Sequence, residues 1–187
     1  MTAADQIIVI IDGEFGQNLS VSPKEILRLL DQGVRVIGAS SMGALRAAEL
    51  QRFGMEGLGW IYDSFASGRL TRDDEVALTY SPIDSSPVTV PLVNVRYWLE
   101  SLEKAGELDK ATTLRMLRKA GQIFFGDRTF QVLRKELEAV VGKERFEYLL
   151  QTTGGVITDI KSCDACFALT RVSQAIKECS ERRLFNG

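Results

Sequence analysis

The chain has 187 residues, 45% hydrophobic and 26% charged, with 23 Lys+Arg against 25 Asp+Glu and a formal net charge of -2. That length and composition suit one sizeable globular domain with a real core, and the near-zero balance excludes an overall field that gathers nucleic acid or an anionic membrane. Histidine is absent, which excludes any nucleophile activated by an imidazole and leaves only cysteine and carboxylate for a zinc site.

The first predicted element is QIIVII at 6–11, a continuous β-branched run that suits a strand buried on both faces of a parallel sheet. It is far shorter than the roughly 20 residues of a membrane span. It follows Asp5 with no basic region, so it does not read as a signal peptide. The loop DGEFGQNLSVS leads to Ser22-Pro23-Lys24-Glu25, a cap followed by Pro at the first helical position. Ile26, Leu29 and Leu30 give this helix an apolar face, and Gly33 ends it. VRVIGA at 34–39 is a second strand, and SSMGALRAAEL starts a second helix directly. This order predicts a right-handed βαβα unit with parallel strands. The Gly-rich FGMEGLGW separates it from a helix near 59–67. Residues 68–91 are turn-rich and acidic, an irregular stretch with room for a short strand. Helices are predicted over 92–104, 108–120, 128–141, 143–150 and 160–183. The expected fold class is α/β: a βαβα core with a small parallel sheet over 1–60, then a mostly helical part over 92–187, in a single domain spanning 1–187. Three cysteines, an odd number, do not suggest a secreted disulfide framework, so a reducing cytoplasm is the expected location.

The junction Ala39-Ser40-Ser41-Met42-Gly43 has the spacing small-x-Ser-x-small between strand and helix. A nucleophile elbow needs that spacing, because the turn leaves no room for side chains two residues either side. It pushes the middle side chain, Ser41, out at the carboxyl end of the sheet, where open α/β sheets bind ligands. The first N–H groups of the helix, those of Met42 and Gly43, point to the same place and can hold an oxyanion. The plainer account is that Ser40 or Ser41 caps the helix. Without histidine, the base for a serine is a lysine stripped of solvent, whose pKa can fall towards about 7. Lys24 starts the first helix, whose dipole disfavours its charge, and Lys161 opens the last helix. Asp12 ends the first strand and can orient a lysine, or simply form a turn before Gly13.

Other constellations carry two readings each. Cys163-Asp-Ala-Cys166 has the spacing of a thiol relay but sits in a helical run with apolar neighbours, which suits buried packing. Asp73-Asp74-Glu75 can hold a cation or form a solvated turn. Arg46 can pair with Glu49 one turn away, or meet an anionic carboxyl terminus one turn past the elbow. The G-x-x-x-x-G at 38–43 is followed by Ala44 rather than Lys, which argues against a phosphate-binding loop. No metal or cofactor is expected.

DGEF at 12–15, KEIL at 24–27, GASSMGALRAAEL at 38–50, the GM-x-G-x-G run at 54–59, DDEVAL at 73–78, LVNVR at 92–96 and DR-T at 127–129 resemble the TfuA-like proteins. The similarity covers most of the chain. It implies a role in peptide backbone thioamidation beside a YcaO enzyme, by hydrolysis of a thiocarboxylated ThiS-like carrier and assistance in binding the peptide, with a Ser-Lys pair. Ser41 matches the serine of the family block. Lys24 lies in the KEIL match, while Lys161 with Asp164 and Ala165 resembles a K-R-x-D-A pattern in which Ser162 replaces the basic residue, so the base stays open between the two lysines. Arg96 and Arg128 fall in matched blocks, which implies a site or interface role against the alternative of a buried salt bridge. The expected function is thus a Ser-Lys hydrolase that supplies sulfide. The alternative is an adaptor without turnover that brings peptide to YcaO.

Overall fold

The computed structural model describes residues 6–11 and 21–185. The chain is organised as two compact units, residues 1–71 with 161–187, and residues 72–160.

In the first unit β1 (Ile7–Ile10), β2 (Arg35–Ala39) and β3 (Glu56–Leu58) form a parallel sheet in that order. Ile37 pairs with Val9 on one side and Glu56 on the other. α1 (Pro23–Asp31) and α2 (Met42–Leu50) make the crossovers that parallel strands require, and α3 (Trp60–Ala66) follows β3. α1 starts where Ser22-Pro23 predicts. Ser22 Oγ accepts from the Glu25 N–H at 3.4 Å, and the Glu25 carboxylate accepts from the Ser22 N–H at 2.9 Å. This reciprocal pair satisfies two N–H groups that a helix start otherwise leaves unbonded. Ile26, Val34, Val36, Ala47, Leu50 and Met55 form the core of this unit. α8 (Ile160–Phe185) joins it from Lys161 onward, burying one face through Lys161, Asp164, Ala168 and Val172 at helical spacing.

Two features depart from the sequence reading. The strand with Val36, Ile37 and Ala39 fully buried is β2, whereas β1, at the sheet edge with one neighbour, is half-buried along its length. β3 lies inside the glycine-rich passage read as a separator. Its middle residue, Gly57, has no room for a side chain, since a Cβ there would stand 2.0 Å from the Tyr62 ring. A three-residue strand with a glycine at its centre offers no alternation to read. It is held instead by backbone pairing and by Arg35 Nε and Nη2 donating to the Glu56 carboxylate at 2.5 and 2.7 Å.

The second unit is helical: α4 (Leu92–Lys104), α5 (Lys110–Gln122), α6 (Phe130–Val141) and α7 (Lys143–Gln151), within two residues of the predicted bounds. α5 packs on α4 and α6, and α6 on α7. Their shared core holds Trp98, Leu99, Met116, Leu133, Leu137, Phe146 and Leu149. Trp98 meets Phe146 edge-on at 6.0 Å, and its indole N–H donates to the Thr153 hydroxyl at 2.9 Å, so the one polar atom of this buried ring is satisfied. Ahead of α4 the chain is irregular, apart from a 3-10 turn at Asp73–Glu75 and one bridge between Tyr80 and Pro87. Among the described residues no helix is long and apolar enough to cross a membrane.

Candidate functional site

β2 ends at Ala39 and α2 begins at Met42, so Ser40 and Ser41 make the whole reversal. The Ser41 N–H donates to the Ala39 carbonyl at 2.9 Å, closing a three-residue γ-turn, and to the Ile11 carbonyl at 3.0 Å just past β1. Ser40, at the centre, takes φ +70, a left-handed conformation that is rare and strained for a residue with a Cβ. Such strain costs on the order of 1–3 kcal/mol and persists only where the surroundings enforce it. Here they do. A Cβ on Gly38 would lie 2.0 Å from the Gly43 carbonyl oxygen, and one on Gly43 would lie 1.9 Å from the Ile10 carbonyl oxygen. Strand end, helix start and neighbouring strand are thus packed backbone against backbone.

Neither serine caps α2 with its side chain. Ser40 Oγ, buried, donates to the Lys161 carbonyl at 2.8 Å. Ser41 is the N-cap residue by position and its hydroxyl makes no cap bond, but at 2% exposure it is buried rather than pushed out as the elbow spacing predicts. The Ser41 carbonyl accepts from Ala44 and Leu45 at 3.0 and 3.2 Å. The N–H groups of Met42 and Gly43 therefore precede the first intrahelical bond, the position from which a helix start binds an anion.

The two candidate lysines have different surroundings. Lys24 is exposed at the second position of α1. Lys161 is the second residue of α8, 8% exposed, and its carbonyl is the acceptor for Ser40. One turn on, the Asp164 carboxylate, 4% exposed, accepts from the N–H groups of Trp60 and Ile61 at 2.9 and 2.8 Å. It thereby caps α3 from another part of the chain. Gly59, at φ +99, admits it, since a Cβ there would stand 2.5 Å from the Asp164 carboxyl carbon. Burial pushes the Asp164 carboxyl above the usual carboxylate range, with the two N–H bonds pulling the other way.

The structure therefore gathers Ser40, Ser41, Met42, Gly43, Lys161 and Asp164 in the first unit. Asp12 lies outside the described residues. Arg46 donates from Nε to the Val21 carbonyl at 3.1 Å and pairs through Nη1 with Glu49 at 2.6 Å. Arg96 and Arg128 are in the second unit. Arg96 pairs with buried Glu75 at 2.5 Å. Arg128, fully buried, donates to the Ala120 and Ile123 carbonyls at 3.2 and 2.8 Å, satisfying the end of α5. Its own carbonyl accepts from Val90 N–H at 2.8 Å. Burial lowers the affinity of its guanidinium for the proton, yet arginine stays charged. Asp74 pairs with Arg72 at 2.8 Å, so two of the three acidic residues at 73–75 are engaged by arginine. Cys163 and Cys166 are exposed, against the buried packing that their apolar neighbours suggest.

Sequence reasoning missed two features, Gly59 and the strained φ of Ser40. The glycine spacing in GASSMG was visible, but which serine carries the strain was not. Residues 12–129 match the family model described as TfuA-like protein. That span holds the serine turn, Lys24, Arg46, Arg96 and Arg128, and ends before Lys161. No curated protein matches the chain.

Proposed function

Because the chain belongs to the TfuA-like family, we propose that it serves peptide backbone thioamidation as a Ser-Lys hydrolase: it releases sulfide from a thiocarboxylated, ThiS-like carrier protein for a YcaO enzyme that modifies the peptide. The observation that carries this reading is the joining of the serine turn to the first turn of α8 by the Ser40–Lys161 hydrogen bond at 2.8 Å. It favours Lys161 over exposed Lys24 as the base.

In this reaction Ser41 Oγ attacks the thiocarboxylate carbonyl. A C–O bond forms and the C–S bond breaks. Lys161, as the neutral amine, takes the hydroxyl proton and passes it to the departing sulfur, which leaves as hydrosulfide, HS⁻. Water then attacks the acyl-serine with the same amine as base, restoring the hydroxyl and freeing the carrier carboxylate. The Met42 and Gly43 N–H groups hold the oxyanion in both halves, a contribution on the order of 10²–10³ in rate per donor. Of the two lysines, Lys161 is the buried one, at 8% exposure, while Lys24 faces solvent.

The test measures sulfide released from a thiocarboxylated carrier. Ser41→Ala is expected to fall to the background rate and Lys161→Met to lose about 10²–10⁴-fold, with Lys24→Ala unchanged. Release by Ser41→Ala at the wild-type rate refutes the hydrolase and favours the adaptor, which tolerates that change.

A further inference from the structure

We infer that Ser40 and Asp164 are positioning residues that fasten the first turn of α8 at two points, and that Lys161 is the side chain they place. The inference rests on the reading of Lys161 as base. Its physical part stands independently.

A helix start is where fraying is expected, because its first N–H groups lack intrahelical partners. Yet Lys161 and Asp164, in the first turn and a half of α8, are 8% and 4% exposed. Three bonds hold them. The Lys161 carbonyl accepts from Ser40 Oγ, 121 positions away in sequence. The Asp164 carboxylate accepts from Trp60 and Ile61, 104 and 103 positions away. The cap on α3 is informative. A Ser, Thr or Asp at position 59 would cap that helix locally. The chain instead has Gly59, with a carboxylate brought from α8 into the space the missing side chain leaves. A cap built this way joins two elements as well as satisfying one. Ser40 repeats the pattern. Its strained φ places its hydroxyl on α8 rather than on the start of α2, its nearest helix. Ser40 thus reaches the turn carrying Lys161, and Asp164, one turn on, ties the same helix start to α3.

The test uses the full chain with Ser40→Gly, Ser40→Ala and Asp164→Asn. Glycine adopts φ +70 without strain, so Ser40→Gly removes the hydroxyl while leaving the turn's backbone at ease. It carries the test if an Asp164 variant fails to fold. Two quantities are read. One is sulfide release, resolved into kcat and KM. The other is the pH profile of reductive methylation at Lys161 by mass spectrometry, with Lys24 as internal reference, which requires no turnover. Ser40→Gly is expected to fold, to lose about 10- to 100-fold in kcat with KM for the carrier nearly unchanged, and to move the Lys161 midpoint but not that of Lys24. Asp164→Asn is expected to move the same two readings. A folded Ser40→Gly with wild-type kcat and an unmoved Lys161 profile overturns the proposal. If Ser41→Ala keeps full activity, the hydrolase reading falls and the methylation profile alone decides whether these residues place the lysine.

Discussion

Replacing Gly43 by alanine sets two well-known effects against each other. Gly43 lies in the first turn of α2, and helix propensity alone makes alanine the better residue by roughly 0.5–1 kcal/mol. The structure says the opposite. The new Cβ would stand 1.9 Å from the Ile10 carbonyl oxygen and 2.6 Å from its carbon, where non-bonded contacts are comfortable only near about 3.5–4 Å. Both obstacles are backbone, so α2 must move away from β1 by more than about an ångström. Overpacking of this kind costs about 1–3 kcal/mol, and more where no side chain can yield, so the net loss is expected near 3 kcal/mol. Gly33→Ala is the control: its φ of +79 imposes strain, but a Cβ there meets nothing within 4 Å. It is expected to cost about 1–2 kcal/mol. The chain has two tryptophans, Trp60 in the first unit and Trp98 in the second. In a Trp98→Phe background, urea unfolding followed by Trp60 fluorescence therefore reports the first unit. A Gly43→Ala protein as stable as its parent refutes the close packing behind the serine turn.

Two further outcomes follow from buried charges. Burial holds the Asp164 proton to higher pH in the native chain than in the unfolded one, so the stability it confers falls as pH rises from its unfolded value, near 3.8, through the raised native value, and is flat above it. The difference in Tm between wild type and Asp164→Asn is expected to shrink across that window, and a difference that grows means the N–H bonds of Trp60 and Ile61 outweigh desolvation. Arg96→Ala leaves Glu75, whose side chain is 4% exposed, without its partner, and should destabilise the second unit by about 3–5 kcal/mol, whereas Arg96→Met with Glu75→Gln loses much less. Unfolding followed by Trp98 fluorescence in a Trp60→Phe background separates these outcomes.

The elements legible in the sequence are those whose signals are local. α1 starts at Ser22-Pro23 because the cap and its Glu25 partner lie within four residues. α4 to α7 repeat an apolar face over nine residues or more, and Asp109 and Thr129 cap α5 and α6 with the bonds their side chains favour. The serine turn was legible as a junction with small neighbours. What was not legible joins distant parts of the chain. Nothing near Lys161 says that its carbonyl meets Ser40, and nothing near Gly59 says that its missing side chain makes room for Asp164. Strain at Ser40 leaves no compositional mark, because serine is ordinary in turns. The exposed thiols of Cys163 and Cys166 were misread because the buried face of α8 runs through Lys161, Asp164, Ala168 and Val172, leaving apolar Phe167 and Leu169 outside.

The first unit is interrupted in sequence by the second, and this orders events on the ribosome. Residues 72–160 emerge as one uninterrupted stretch rich in short-range helical contacts, the kind that settles quickly. The amino-terminal sheet is synthesised earlier but must wait, since the acceptor for Ser40 and the cap of α3 both arrive with the last helix. Until then α3 begins with two unanswered N–H groups and the reversal at Ser40 lacks one of the bonds that hold it. A nascent chain stalled at residue 160 would carry the serine turn without the carbonyl and the carboxylate that α8 brings to the first unit.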